Sequence, residues 1–106
     1  MDMYVQVNRD NQMEDREADL DAVERMVTDR LGRITDKVTR AEVHLGHVKE
    51  SRGNNPEYRC MVEVRPENLA PVAASAEGGE VETVVRSACD KVLNAYDKVV
   101  GKQAAR

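Results

Sequence analysis

Apolar and polar residues alternate at period two over Tyr4-Val5-Gln6-Val7-Asn8, and the turn-forming Arg9-Asp10-Asn11 closes the run, which predicts a short first strand. The period then changes. Leu20, Val23, Val27, Leu31 and Ile34 recur at steps of three and four, the spacing of one helical stripe, and predict a helix from about Glu14 or Arg16 to about Thr35. From Val38 to Leu45 the alternation returns, with Ala41, Val43 and Leu45 on one face and Arg40, Glu42 and His44 on the other. Ser51 to Pro56 reads as a turn-rich hairpin loop. Beyond it Tyr58, Cys60, Val62 and Val64 alternate with Arg59, Met61, Glu63 and Arg65 in a third strand. Antiparallel pairing of the second and third strands would set Glu42 against an arginine of the third and bring Arg40 near Glu63. A short strand over Val72 to Ala76 stops at Gly78-Gly79. Val81, Val84, Val85, Ala88, Val92, Ala95, Tyr96 and Val99 then mark the buried stripe of a last helix reaching Gly101.

This order predicts an α+β fold, β-α-β-β-β-α, with a four-stranded mixed sheet and two helices packed on one face, formed as a single domain over residues 1–106. The helix between the first two strands makes them parallel, joined in the right-handed sense, and the next two strands meander. Covering one face leaves Tyr4, Gln6, Arg40, Glu42, His44, Arg59, Glu63, Arg65 and Ser75 on an open polar face. With no Phe or Trp and three Tyr, the core must be built from Val, Ala, Leu and Met, which suits a sheet under helices. No apolar run approaches the roughly 18 residues of a membrane span, and the opening MDMYVQVNRD lacks a signal-peptide layout, so a cytoplasmic protein is expected. In that reducing compartment Cys60 and Cys89, both in apolar segments, are expected to be free buried thiols.

The net charge of −4 argues against nucleic acid as a single number, but the charge is unevenly placed. Residues 1–24 hold eight carboxylates and two arginines, whereas the rest of the chain has 14 bases against 12 acids. The acids of the first stretch fall where the first turns of the predicted helix would favour them, with Arg30, Arg33 and Lys37 towards its other end. On the last helix Ser87, Lys91, Asn94, Lys98 and Lys102 follow one another at steps of three and four, so they line one flank beside the apolar stripe. No acid interrupts that line. Lysines interspersed with small polar donors suit phosphate oxygens, and the regular spacing lets several reach one nucleic-acid backbone. Arg30 and Arg33 project from the first helix in a similar way. A solvated surface face rich in lysine produces the same pattern, so spacing alone leaves binding open.

Catalytic chemistry finds few pieces in the chain, and binding without catalysis is expected. His44 and His47, three apart along a strand, point to opposite faces and cannot share a metal. Gly78-Gly79 opens a helix but lacks a P-loop lysine or a dinucleotide-binding pattern, and reads as a tight turn. No serine or cysteine sits in a nucleophile motif. No cofactor, metal or small-molecule substrate is expected.

The arrangement, together with Ala74-Ser75-Ala76-Glu77-Gly78 leading into a helix that contains Asp90-Lys91-Val92-Leu93, resembles the ribosome hibernation promoting factor family, which includes the ribosome-associated inhibitor protein Y. The similarity covers nearly the whole chain and looks closest to a short branch of the family without the C-terminal dimerisation domain. ITDKVTRAEVHL over Ile34 to Leu45 and RCMVEVRP over Arg59 to Pro66 carry it further. The resemblance implies a protein that binds the small ribosomal subunit in the channel used by messenger and transfer RNA and inhibits translation under stress or in stationary phase. It implies ribosomal RNA contacts from Lys91, Lys98 and Lys102, at basic positions of the second helix, and from Arg30, where the family has a lysine. Asn94 stands where the family often has arginine, and the first helix is more acidic than is usual there. A second class of function is a non-catalytic protein-interaction module of the same fold, whose acidic first helix docks a basic partner.

Overall fold

The computed structural model describes residues 3–48 and 57–104. The elements are β1 (Tyr4–Arg9), α1 (Leu20–Arg30), β2 (Val38–His47), β3 (Tyr58–Pro66), β4 (Val72–Gly78) and α2 (Val81–Ala104), with short 3-10 turns at Asp15–Glu17 and Gly32–Ile34. The strands lie side by side in chain order, β1 parallel to β2 and the other neighbours antiparallel, which is the mixed sheet the alternation predicts. The hairpin loop assigned to Ser51 to Pro56 lies outside the described residues.

One face of the sheet is apolar because register aligns the alternating strands. Val5 lies beside Ala41, Val7 beside Val43, Val43 beside Val62 and Val62 beside Ala74. On this face α1 packs against β1, α2 packs against β3 and β4, and the two helices touch. Val27, Leu31, Ile34, Val84, Val85 and Val92 from the helical layer meet Ala41, Val43, Val62 and Val64 of the sheet, and no polar or charged residue is buried among the described residues. Removal of this apolar area from water is the main stabilising term, at about 25 cal/mol per Å². Cys60 on β3 and Cys89 on α2 are buried and free, as expected. Desolvation pushes both thiols up to about 12, so they stay protonated at neutral pH.

The first helix is much shorter than its periodicity suggests, and each end has a local cause. Glu14 has extended backbone angles and starts a separate 3-10 turn. Its carbonyl accepts from the Glu17 N–H at 3.0 Å, and its own N–H donates to the Glu17 carboxylate at 2.7 Å. Ala18, at φ −151° and ψ 132°, then re-extends the chain. Asp19 opens α1 anew by accepting a hydrogen bond from the Ala22 N–H at 3.1 Å. Glu14, Asp15 and Glu17 therefore precede the helix instead of filling its first turns, and Asp21 is the acid of the first turn. At the other end the chain tightens into a 3-10 turn at Gly32. That turn has a period of three, so Leu31 and Ile34 stay on the buried side although the α-helix has ended.

The sheet also corrects one cross-strand pairing. Glu42 stands directly opposite Glu63, and Arg40 opposite Arg65, after an irregularity in register between Val38 and Arg40. Glu42 does meet an arginine of β3, but diagonally: Arg65 reaches it at 3.3 Å. Arg40 bonds Glu42 on its own strand at 3.4 Å and not Glu63.

At the β4–α2 junction Gly78 allows a close approach of helix to strand. A Cβ there would stand 3.0 Å from the Val84 side chain, which α2 turns down onto the sheet. The 24 residues of α2 span about 36 Å at 1.5 Å per residue, longer than the strands beneath. Tyr96 is its last buried residue, and Asp97, Lys98, Val100, Gly101 and Lys102 are all exposed, so the final turns project past the core.

Candidate nucleic-acid interface

The features that bear on function sit on the helical layer. Val84, Val85, Ala88, Val92 and Tyr96 turn one side of α2 into the core, which forces the positions about 100° to 180° away into solvent. Lys91, Asn94, Lys98 and Lys102 are those positions, and all four are exposed; Ser87, at the head of the line, is half-buried. Among the described residues none of the three lysines is in an ion pair. The face therefore presents three ammonium groups with one amide between them, two of the lysines on the projecting end.

Arg30 and Arg33 lie elsewhere and in a different state. Arg30, the last residue of α1, donates from Nε and Nη2 to the two carboxylate oxygens of Asp90 at 3.0 and 3.1 Å. Arg33, in the 3-10 turn that follows, donates to both oxygens of Asp97 at 3.0 and 2.7 Å. These are fork-to-fork pairs, the strongest geometry between these groups, and hydrogen bonding to the aspartates pushes both guanidinium groups further up from an already high value. The two arginines are thus brought together as a double tie between α1 and α2 and are separated from the lysine face by the turn of the helix. Sequence reasoning missed Asp90 and Asp97. The available signal was the repeat Asp90-Lys91-Val92 and Asp97-Lys98-Val99, seven residues apart, which puts an aspartate on the α1 side and a lysine one position round, twice.

The acidic segment is largely used within the molecule. Asp15 pairs with Arg9, Glu14 with Arg16 at 2.8 Å, and Asp19 is a helix cap. The Glu17 carboxylate meets His47 Nε2 at 2.8 Å and accepts from the Tyr58 hydroxyl at 3.4 Å. The Glu14 N–H, followed by His47, holds the Glu17 carboxyl below its ordinary range. What remains free on the outside of α1 is Asp21, Glu24 and Asp29, around a shallow depression shared with Arg25 and Thr28.

His44 and His47 do point to opposite faces: His44 is exposed on the open face, while His47 turns towards Glu17 and lies 5.4 Å from the Tyr58 ring. No group of three or more His, Cys, Asp or Glu side chains among the described residues is placed to hold a metal ion. The open face carries a mixed network. Arg40 bonds Gln6 and Glu42 under the Tyr4 ring, 5.3 Å from its centroid, and Arg65 lies between Glu42 and Glu63 at 3.3 and 3.6 Å. No described helix is long and apolar enough to cross a membrane.

Fold and site together define a class: a mixed four-stranded sheet open on one side, covered on the other by two tied helices, the longer of which carries an unpaired cationic face. Among solved structures the chain is similar to the Thermus thermophilus protein Y N-terminal domain, with a TM-score of 0.60 and 22% sequence identity over 87% of this chain and 91% of that one. At this identity the likeness is one of fold. No family model and no curated protein sequence matches the chain.

Proposed function

We propose that this chain is a ribosome-associated regulator of translation: it acts in the cytoplasm, binds ribosomal RNA of the small subunit through the lysine face of α2, and inhibits translation under stress or in stationary phase without catalysing a reaction. The observation that carries the reading is the exposed, unpaired row Lys91, Asn94, Lys98 and Lys102 on the fold shared with protein Y. Ammonium groups on a rigid rod reach successive phosphates without rearranging the protein, and the rod projects far enough to enter a groove or channel. The motifs that resemble the hibernation promoting factors supply the choice of ribosome over other polyanions. Arg30 and Arg33 lie on the α1-facing flank, apart from the lysine face, and each already holds an aspartate, so the contacts are assigned to the lysines. The rival reading, an acidic first helix docking a basic protein, is left with Asp21, Glu24 and Asp29 as its surface, since Asp10, Glu14, Asp15, Glu17 and Asp19 are engaged in turns and ion pairs.

Co-sedimentation with purified small subunits over a salt series tests the proposal. Three lysine–phosphate contacts give a slope of log affinity against log salt of about −2 to −3, at 0.7–0.9 per contact. Absence of association at low salt, or association indifferent to salt, contradicts it.

A further inference from the structure

We propose that Asp90 and Asp97 are internal competitors for phosphate: they keep Arg30 and Arg33 closed to nucleic acid, so that a polyanion docks on the lysine face of α2 alone. The proposal deepens the reading of that same site and rests on it.

The geometry supplies the reason. A carboxylate held fork-to-fork by a guanidinium occupies the positions two phosphate oxygens would take, and four such bonds of 2.7–3.1 Å fill both arginines. The pairs are half-exposed, with side-chain accessibilities of 45% and 51% for Arg30 and Asp90 and 54% and 49% for Arg33 and Asp97. Phosphate can therefore approach them, and burial is not what excludes it. Exchange is what gains nothing. A phosphate that takes the arginine trades one charge-assisted pair for another and leaves an uncompensated aspartate beside the new anion. Lys91 and Lys98, each one residue on from an aspartate, have no such competitor because the helix turns them about 100° away. Seven residues separate the two aspartates, about 10.5 Å along the axis, so the barrier covers two turns of the α1-facing flank. The same two residues that tie the helices together thus make the nucleic-acid surface one-sided.

Removing the carboxylates should open that side. The test measures salt-dependent binding of three variants and wild type to purified small subunits and, in parallel, to immobilised heparin. Asp90→Asn with Asp97→Asn frees both arginines and is expected to steepen the log–log salt slope by about 1.4–1.8, the equivalent of two added contacts. Adding Arg30→Gln and Arg33→Gln to that pair removes both ion pairs whole and should restore the wild-type slope. Asp21→Asn with Glu24→Gln changes net charge by the same amount on the outside of α1, and its slope should match wild type. A wild-type slope for the aspartate pair overturns the proposal. So does a slope shallower than wild type for the four-residue variant, which would mean that the arginines already touch phosphate. Should the aspartate pair unfold, as its melting curve would show, the single changes Asp90→Asn and Asp97→Asn carry the test, each adding about half the steepening. If the predicted order appears on heparin while no variant binds small subunits, the interlock stands and the ribosome reading falls.

Discussion

Three arginines stand on the open face of the sheet and three lysines on the outer face of α2, yet the two surfaces differ in what their charges are free to do. On the sheet Arg40 pairs with Glu42 and Arg65 with Glu42 and Glu63, while Arg59 stands opposite Glu77 with no ion pair among the described residues. Like charges stand directly opposite one another across β2 and β3, and the carboxylates are reached along the strand by Arg40 and diagonally by Arg65, so these two arginines are already partnered. On α2 the neighbours of each lysine along its row are Ser87, Asn94 or another lysine, and the nearby aspartates are turned to α1. The two faces have the same number of cations, but two of the sheet's three are ion-paired and none of the lysines is among the described residues. Whether a surface can bind a polyanion depends on how its bases are partnered, and a net charge of −4 says little about it.

The largest expected effect comes from reversing the free charges. Lys91→Glu with Lys98→Glu should reduce small-subunit co-sedimentation to background while stability, read by thermal melting, stays within about 0.5 kcal/mol, as for surface changes away from packing or caps. Retained binding in a folded variant would erase the distinction between the two faces. Next in size is the opposite experiment on the sheet. Arg40→Ala removes the bonds to Gln6 and Glu42 and the contact with Tyr4, and should cost about 1 kcal/mol in denaturant unfolding while leaving co-sedimentation unchanged. The smallest effect concerns the segment before α1, where Glu17 holds His47, Tyr58 and the Glu14 N–H. Its carboxyl titrates lower in the folded protein than in the unfolded chain. The stabilisation is therefore complete above the ordinary carboxylate range and lost as pH falls through the folded value. Glu17→Gln should thus be less stable than wild type at neutral pH, with the gap closing below that range; a gap that does not change with pH contradicts the assignment.

Much of this was legible in the chain, and the parts that were not share a cause. Period-two alternation located all four strands, and the stripe from Val81 to Val99 located α2, because both patterns report burial directly. The first helix was overextended because Leu31 and Ile34 keep their spacing through a 3-10 turn, which the stripe cannot tell from an α-helix. Two starting signals in succession, Glu14 with Glu17 and then Asp19, marked its true origin. The lysine row of α2 could be read because it lies within one element. The partners of Arg30 and Arg33 could not, since they come from 60 and 64 residues away and depend on how two helices meet.

We assign the polyanion surface to the unpaired lysines of α2 and not to the ion-paired Arg40 and Arg65 of the sheet. Neutralising two cations on each face tests the assignment: Lys91→Gln with Lys98→Gln against Arg40→Gln with Arg65→Gln, two variants of equal net charge compared in one salt series with purified small subunits. The lysine pair is expected to flatten the log–log salt slope by about 1.4–1.8 and the sheet pair to leave it at the wild-type value. Equal flattening by both pairs, or flattening by the sheet pair alone, would contradict the assignment.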